Sequence, residues 1–206
     1  VLGCFEGGEL DFLIPFYAQI FILAAAVMVF FLLHLLRGSP AGALKREAYS
    51  TLAFAYIGIL GQYIISMRQL GTGAVFMLFL GVWVYDASAY FVGTTLGKHK
   101  LCPKISPKKT VEGLAGGLII TPAVVVSVNH LFPKLFFGDF ASGGTLEMVF
   151  LAVVISLASQ TGDLAESMMK REAKVKDSSN LIPGHGGILD KLDGFLFAAP
   201  LLYACL

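Results

Sequence analysis

Asp163 and Glu166 stand three residues apart, and so do Asp190 and Asp193. On a helix this spacing puts both members of a pair on one face. Lys170 continues the face of the first pair one turn later, and Arg171 follows it. The first pair lies inside an otherwise apolar run, where a carboxylate is costly unless it faces protein, water or an ion. Two carboxylate pairs meeting at one interface would make a site for a hard cation. Mg²⁺ takes a few carboxylate oxygens, several waters and substrate phosphates. The plainer alternatives are a snorkelling helix end for Asp163 and simple helix capping for Asp190 and Asp193.

Two further stretches suit phosphate. Pro183-Gly184-His185-Gly186-Gly187 directly precedes the second acidic pair. Glycines let the backbone approach an anion, and successive N–H groups can form a nest around it. His185 is either a catalytic group or a hydrogen-bonded loop residue. Ser106-Pro107-Lys108-Lys109-Thr110-Val111-Glu112-Gly113 opens another apolar run. Two lysines and two hydroxyls at a helix N-terminus suit a polyphosphate. Ordinary basic flanking of a membrane helix explains the charge there, but not the residue order. Asp86 and Tyr90, at i and i+4, add a polar face to a third apolar run, and Lys176 adds a cation before the glycine loop.

The elements that must position these groups are membrane helices. The 206 residues are 56% hydrophobic and only 14% charged, where a soluble domain carries about 25% charge. Mean hydropathy is +0.77. Six apolar runs predict six spans: Phe12–Leu36, Ala48–Ser66, Gly73–Gly93, Val111–Phe132, Thr145–Met169 and Leu192–Leu206. Most match the roughly 20 residues that cross a bilayer as a helix. The reading is therefore an all-α, polytopic integral membrane protein with about six transmembrane helices. Residues 1–72 form generic N-terminal membrane helices. Residues 73–206 form a catalytic membrane domain with loops at 94–110 and 170–191.

If the spans alternate, thirteen of the 15 Lys and Arg residues fall on one side, leaving only Arg68 and Lys134 on the other. That asymmetry makes the basic face cytoplasmic. A net charge of +1 points to no nucleic-acid partner. Cys4, Cys102 and Cys205 are scattered and odd in number, so they set up neither a disulfide framework nor a paired metal motif.

The stretch from Ser167 through Lys170-Arg171, Lys176-Asp177, Ser179, Ile182-Pro183, His185-Gly186-Gly187, Asp190-Lys191 and Asp193 resembles the signature of the phosphatidate cytidylyltransferase (CDP-diacylglycerol synthase) family. Gln160-x-Gly162-Asp163-Leu164-x-Glu166, Asp86-x-x-Ala89-Tyr90-Phe91-x-Gly93 and Ser106 through Gly113 are similar to the same family. The resemblance implies transfer of a cytidylyl group from CTP to phosphatidic acid, giving CDP-diacylglycerol and pyrophosphate. It implies Mg²⁺, in a two-ion site whose second ion is unidentified. Asp163 and Asp190, with Glu166 and Asp193, are then the expected metal ligands.

Asp163, Asp190, Lys170, Arg171 and His185 are the expected catalytic groups. Ser106, Lys108, Lys109, Thr110, Asp86, Tyr90, Lys176, Gly186 and Gly187 are the expected substrate contacts. The implied setting is the lipid bilayer of a bacterial-type inner membrane, with the active site facing the cytoplasm; a homodimer is compatible with it. The family has arginine where this chain has Lys191, which keeps the charge but not the planar fork that grips a carboxylate. Family members usually carry more N-terminal helices, and the first residue is Val, so the native N-terminus is expected upstream.

Two other readings stay open. A CTP-dependent polyprenol kinase would release CDP instead of pyrophosphate. A cation-coupled transporter would use Asp86 and Asp163 as ion sites, but leaves the His-Gly-Gly and Ser-Pro-Lys-Lys-Thr stretches unexplained.

Overall fold

The computed structural model describes residues 7–38, 40–132, 144–179 and 186–206, with backbone alone over 7–16. Its elements are α1 (Gly7–Leu36), α2 (Ala43–Ala53), a π-helical turn (Phe54–Ile59), α3 (Leu60–Ser66), α4 (Thr72–Thr95), β1 (Lys100–Cys102), β2 (Ser106–Thr110), α5 (Val111–Leu131), α6 (Thr145–Glu172) and α7 (Leu189–Cys205). Five helical runs are long and apolar enough to cross a membrane: Tyr17–Leu36, Ala43–Ser66, Thr72–Thr95, Val111–Leu131 and Thr145–Glu172. With the 17-residue α7, they account for the expected helices, and the chain is nearly all-α.

Several boundaries differ from the sequence reading. The second helix begins at Ala43 instead of Ala48, because its polar first turn finds partners. Glu47 is buried, with Oε2 3.0 Å from His34 Nδ1 and Oε1 accepting a 3.3 Å bond from Thr51 Oγ1. Residues 94–110, expected as a loop, contain the antiparallel β1–β2 hairpin, with Lys100 opposite Thr110 and Cys102 opposite Ser106. Pro107 is tolerated there because a two-stranded ribbon has only edges. Finally, α7 begins at Leu189, so Asp190 belongs to its first turn.

The chain divides into two compact units, Val1–Ile59 and Leu60–Leu206. In the first, Phe30 and Phe54 meet edge to face at 6.1 Å. The second holds the core and the candidate site. Its fully buried residues include Met67 before α4 and residues of α4 (Met77, Leu78, Val82, Tyr85), α5 (Val125), α6 (Leu151, Ala152, Ile155) and α7 (Ala198, Ala199, Leu202). In a bilayer, lipid is as apolar as these side chains, so helix association depends on close van der Waals fit and small residues at the crossings.

Gly162 marks the decisive crossing. A Cβ there would strike the backbone carbonyl oxygen of Asp193, with Gly194 Cα 3.3 Å away. This close approach of α6 to α7 is what brings the two acidic motifs together. A buried bond from the Tyr85 hydroxyl to Gln160 Oε1 (2.6 Å) ties α4 to the same part of α6.

Candidate active site

The basic hairpin is anchored before it reaches the carboxylates. Thr110 is the N-cap of α5, and its Oγ1 accepts a 3.1 Å bond from the Gly113 amide. Such a cap satisfies one of the free donors of the first turn. Glu112 accepts the Lys98 amide at 3.1 Å and the His99 amide at 3.1 Å, and its Oε1 lies 2.6 Å from His99 Nδ1. Gly113 packs flush on α4, where an added Cβ would lie 2.6 Å from the Ala89 carbonyl oxygen. Arg171 fastens the hairpin to α6 by donating from Nε to the Ile105 carbonyl at 3.3 Å.

This anchoring leaves Lys108 exposed and turns the half-buried Lys109 inward. Lys109 Nζ lies 2.6 Å from Asp163 Oδ2. The other oxygen of Asp163 accepts a 3.3 Å bond from Ser167 Oγ. Asp86 accepts a weak 3.4 Å bond from Ser159 Oγ, and it feels the charges of Asp163, Lys109 and Lys191. Asp193, held by the Gly194 amide at 2.8 Å, feels Asp163, Glu166 and Asp86. Asp86 and Asp163 each stand nine residues before the end of their helix, about 14 Å at 1.5 Å per residue. Three carboxylates from three helices thus share one electrostatic neighbourhood, with two lysines as counter-charges.

A second network lies one turn along α6. Glu166 is 1% exposed, and its Oε2 is 2.5 Å from Lys170 Nζ. The same ammonium donates to Asp190 Oδ1 at 2.6 Å. Asp190 Oδ2 accepts from the Ser178 amide (2.9 Å), the Ser178 hydroxyl (2.7 Å) and the Gly187 amide (2.7 Å). Burial opposes ionisation of Asp190, which stands before the apolar part of α7. The donors from Lys170, Ser178 and Gly187 outweigh it and hold the carboxyl below the usual carboxylate range.

The expected site residues therefore divide. Asp163, Asp193, Asp86 and Lys109 form one group; Glu166, Lys170, Asp190 and Gly187 form another. Arg171 is spent on the backbone carbonyls of Ile105 and Val175. Ser106 is half-buried in β2, Thr110 is buried as a cap, and Tyr90 and Lys176 are exposed. Gly186 has φ +82° and leaves room for Asp190, whose Oδ2 would lie 2.6 Å from an added Cβ. His185 lies outside the described residues. Lys191 is exposed and closes on neither neighbouring aspartate.

Ser159, Gln160, Ser178 and Glu112 join the site although nothing in their own residue types selected them. Gln160 and Glu112 lie inside the family-like stretches, but no role is legible there for either residue, and Ser159 and Ser178 carry no signal.

The donor set suits a hard cation. Among the described residues it consists of carboxylate oxygens with a net excess of negative charge, and no thiolate or imidazole takes part. Among the described residues, no three His, Cys, Asp or Glu side chains gather closely enough to hold a metal unaided. An ion here would need water or substrate oxygens to complete its shell, which is the habit of Mg²⁺.

A family model described as "Cytidylyltransferase family" matches residues 10–206. The chain is 44% identical over 158 residues to a protein named phosphatidate cytidylyltransferase from Bacillus subtilis (strain 168), covering 75% of this chain and 56% of that protein. It is 43% identical over 155 residues to one so named from Staphylococcus haemolyticus (strain JCSC1435), covering 75% of this chain and 57% of the relative. One of that name from Staphylococcus aureus (strain COL) is 41% identical over 155 residues, with the same coverage. The matched region is thus little more than half the length of these curated relatives.

Proposed function

We propose that this chain, which belongs to the cytidylyltransferase family, transfers the cytidylyl group of CTP to phosphatidic acid. The observation that carries the reading is the docking of the Lys108–Lys109 hairpin on the carboxylate of Asp163, in a chain whose similar relatives carry the name phosphatidate cytidylyltransferase. The lipid phosphate requires access from the bilayer, and the nucleotide requires a basic aqueous face. A site built from three membrane helices and capped by a basic hairpin serves both.

In the reaction, a phosphate oxygen of phosphatidic acid attacks the α-phosphorus of CTP. The bond from the α-phosphorus to the bridging oxygen breaks, and pyrophosphate leaves. No strong general base is needed, because a phosphate monoester is largely ionised near neutral pH. Catalysis of this kind depends on positioning and on neutralising charge. Lys109 would exchange Asp163 for a triphosphate oxygen, and Lys108 would meet the nucleotide from the exposed side of the hairpin. Asp163 and Asp193, with Asp86 beside them, would hold Mg²⁺, which supplies neutralisation of the phosphate oxygens when bound. Asp190 and Glu166 share Lys170 and support the site from behind. The site would face the cytoplasm, on the side of the basic loops.

The test is product analysis with the protein in lipid nanodiscs. CTP labelled at the α-phosphate, supplied with phosphatidic acid and Mg²⁺, should give labelled CDP-diacylglycerol and free pyrophosphate. Labelled CDP, with the γ-phosphate appearing on a polyprenol, would assign the kinase reaction instead.

A further inference from the structure

We infer that Glu166 is a positioning residue. Acting through Lys170, it fixes Asp190, and Asp190 draws the backbone at Ser178 and Gly187 together beside the site. The inference deepens the function proposed above and takes from it only that this backbone flanks the substrate phosphates.

Glu166 is the most buried carboxylate among the described residues, at 1% exposure. A buried charge of this kind is tolerated only when it is paired. Its ion-pair partner is Lys170, one helical turn along the same rigid element. The i, i+4 relation fixes where the ammonium can stand. The ammonium lies between two carboxylates: it forms an ion pair with Glu166 Oε2 at 2.5 Å and donates a hydrogen bond to Asp190 Oδ1 at 2.6 Å. With its side chain only 16% exposed, Lys170 is a bridge between α6 and α7, not a free cation waiting for phosphate.

Asp190 completes the device. Its Oδ1 is taken by Lys170, and its Oδ2 accepts three donors from Ser178 and Gly187. These two residues are nine positions apart and are joined through one carboxylate oxygen. The glycines permit this closure. Gly186 adopts a left-handed φ of +82° that side chains rarely take. Gly187 is buried, and a Cβ on it would collide with the Ser178 hydroxyl. A carboxylate with both oxygens engaged, one of them by three donors, is a clamp on the backbone. Glu166 matters because it aims the lysine. Without it, Lys170 loses one of its two anchors, and Asp190 loses a charged donor held in a fixed direction.

The experiment measures hydrogen exchange of the Ser178 and Gly187 amides in nanodiscs without nucleotide, in the wild type, Glu166→Gln, Lys170→Met and Asp190→Asn. Glutamine matches the size of Glu166 and removes the charge. Loss of one charge-assisted bond should speed exchange at both amides about tenfold, while α4 and α5 exchange at the wild-type rate. The CTP KM should rise by a similar factor, and kcat should fall by less. Wild-type exchange at Ser178 and Gly187 in a folded Glu166→Gln protein would overturn the inference. So would a large fall in kcat with unchanged exchange, since Glu166 would then act on the reacting groups directly.

If Glu166→Gln loosens the whole bundle, the decision passes to Asp190→Asn. That change leaves the buried Glu166–Lys170 pair intact. It must free Ser178 and Gly187 alone, and failure to do so rejects the clamp. The exchange measurement uses no CTP, so it stands apart from the product analysis. A protein making some other product could still show the clamp.

Discussion

Lys109 Nζ lies 2.6 Å from Asp163 Oδ2, so the lysine occupies the carboxylate oxygen that a divalent cation would use. The two cations are alternative partners. In the proposed reaction a nucleotide would resolve the competition, because its phosphates could take the lysine while the ion takes the aspartate. Removing the lysine should therefore act in opposite directions on the two ligands. In Lys109→Met, Mn²⁺ binding without CTP, read by electron paramagnetic resonance, should tighten. The CTP KM should rise about tenfold for the lost charge-assisted contact. Weaker Mn²⁺ binding in the variant would mean that Lys109 supports the ion site instead of competing for it.

The division of the four acidic residues makes a second prediction. Asp163→Asn and Asp193→Asn each remove a charged oxygen from the group around Lys109. Each should weaken Mn²⁺ binding and lower turnover, by about 100-fold or more for a lost ligand or its support. Asp190→Asn should retain Mn²⁺ binding, because its carboxylate is engaged by Lys170, Ser178 and Gly187. If Asp190→Asn loses the ion and Asp193→Asn keeps it, the assignment of ligands is reversed.

A third prediction concerns the helix crossing. At Gly162, an added Cβ meets the Asp193 backbone carbonyl, which cannot turn aside as a flexible side chain could. Gly162→Ala should push α6 and α7 apart and cost about 1–3 kcal/mol, the usual range for overpacking a fitted core. Activity should fall further than stability, because the same crossing sets Asp163 beside Asp193. Gly144→Ala is the control, since nothing lies within 4 Å of the Cβ it would add. Thermal unfolding and turnover of both variants decide the matter. Equal behaviour would show that the helices absorb the methyl group.

Much of this arrangement was legible from residue order. The membrane helices followed from the length of the apolar runs, and the acidic residues were legible because charge inside such a run is rare. What the order could not supply was partnership. The i, i+3 pairs put Asp163 and Glu166 on one helical face, yet Lys109 arrives at the first from a hairpin and Lys170 reaches the second from its own helix. Pairing across elements depends on where Gly162 lets α6 and α7 cross, and on how far Arg171 pulls the tip of the hairpin. Both are tertiary facts. The hairpin itself was hidden because Lys98–Thr110 is rich in Lys and Pro, which depress local strand preference. Its order comes instead from the Glu112 carboxylate gathering the Lys98 and His99 amides.

The basic loops of the catalytic unit supply a fourth prediction. In a cysteine-free background, single cysteines at Lys104 and Lys174 should label from the cytoplasmic side with a membrane-impermeant maleimide. One at Lys134, outside the described residues, should label only from the opposite side. The reason is the retention of Lys and Arg in short cytoplasmic loops. Labelling of Lys104 and Lys134 from the same side would reject the alternating arrangement and, with it, a cytoplasmic site.

Lys191, where the family pattern has arginine, supplies the last. An arginine between Asp190 and Asp193 could hold one carboxylate by two parallel N–H bonds and fix its plane. In this protein that work is already done. Lys170 and the Ser178 and Gly187 donors fix Asp190, and the Gly194 amide holds Asp193 Oδ1 at 2.8 Å. Lys191 is exposed and contributes its charge to the surroundings of Asp86. An exposed charge acting at a distance is worth no more than an exposed ion pair, about 0–1 kcal/mol, and either cation can supply it. Lys191→Arg should therefore leave kcat and the Mg²⁺ dependence within about threefold of the parent protein under matched lipid conditions. Lys191→Met should weaken CTP binding modestly by removing the charge. A gain of tenfold or more in Lys191→Arg would show that a planar fork finds a carboxylate that the ammonium does not reach. The ordering of Asp190 and Asp193 would then be incomplete without it.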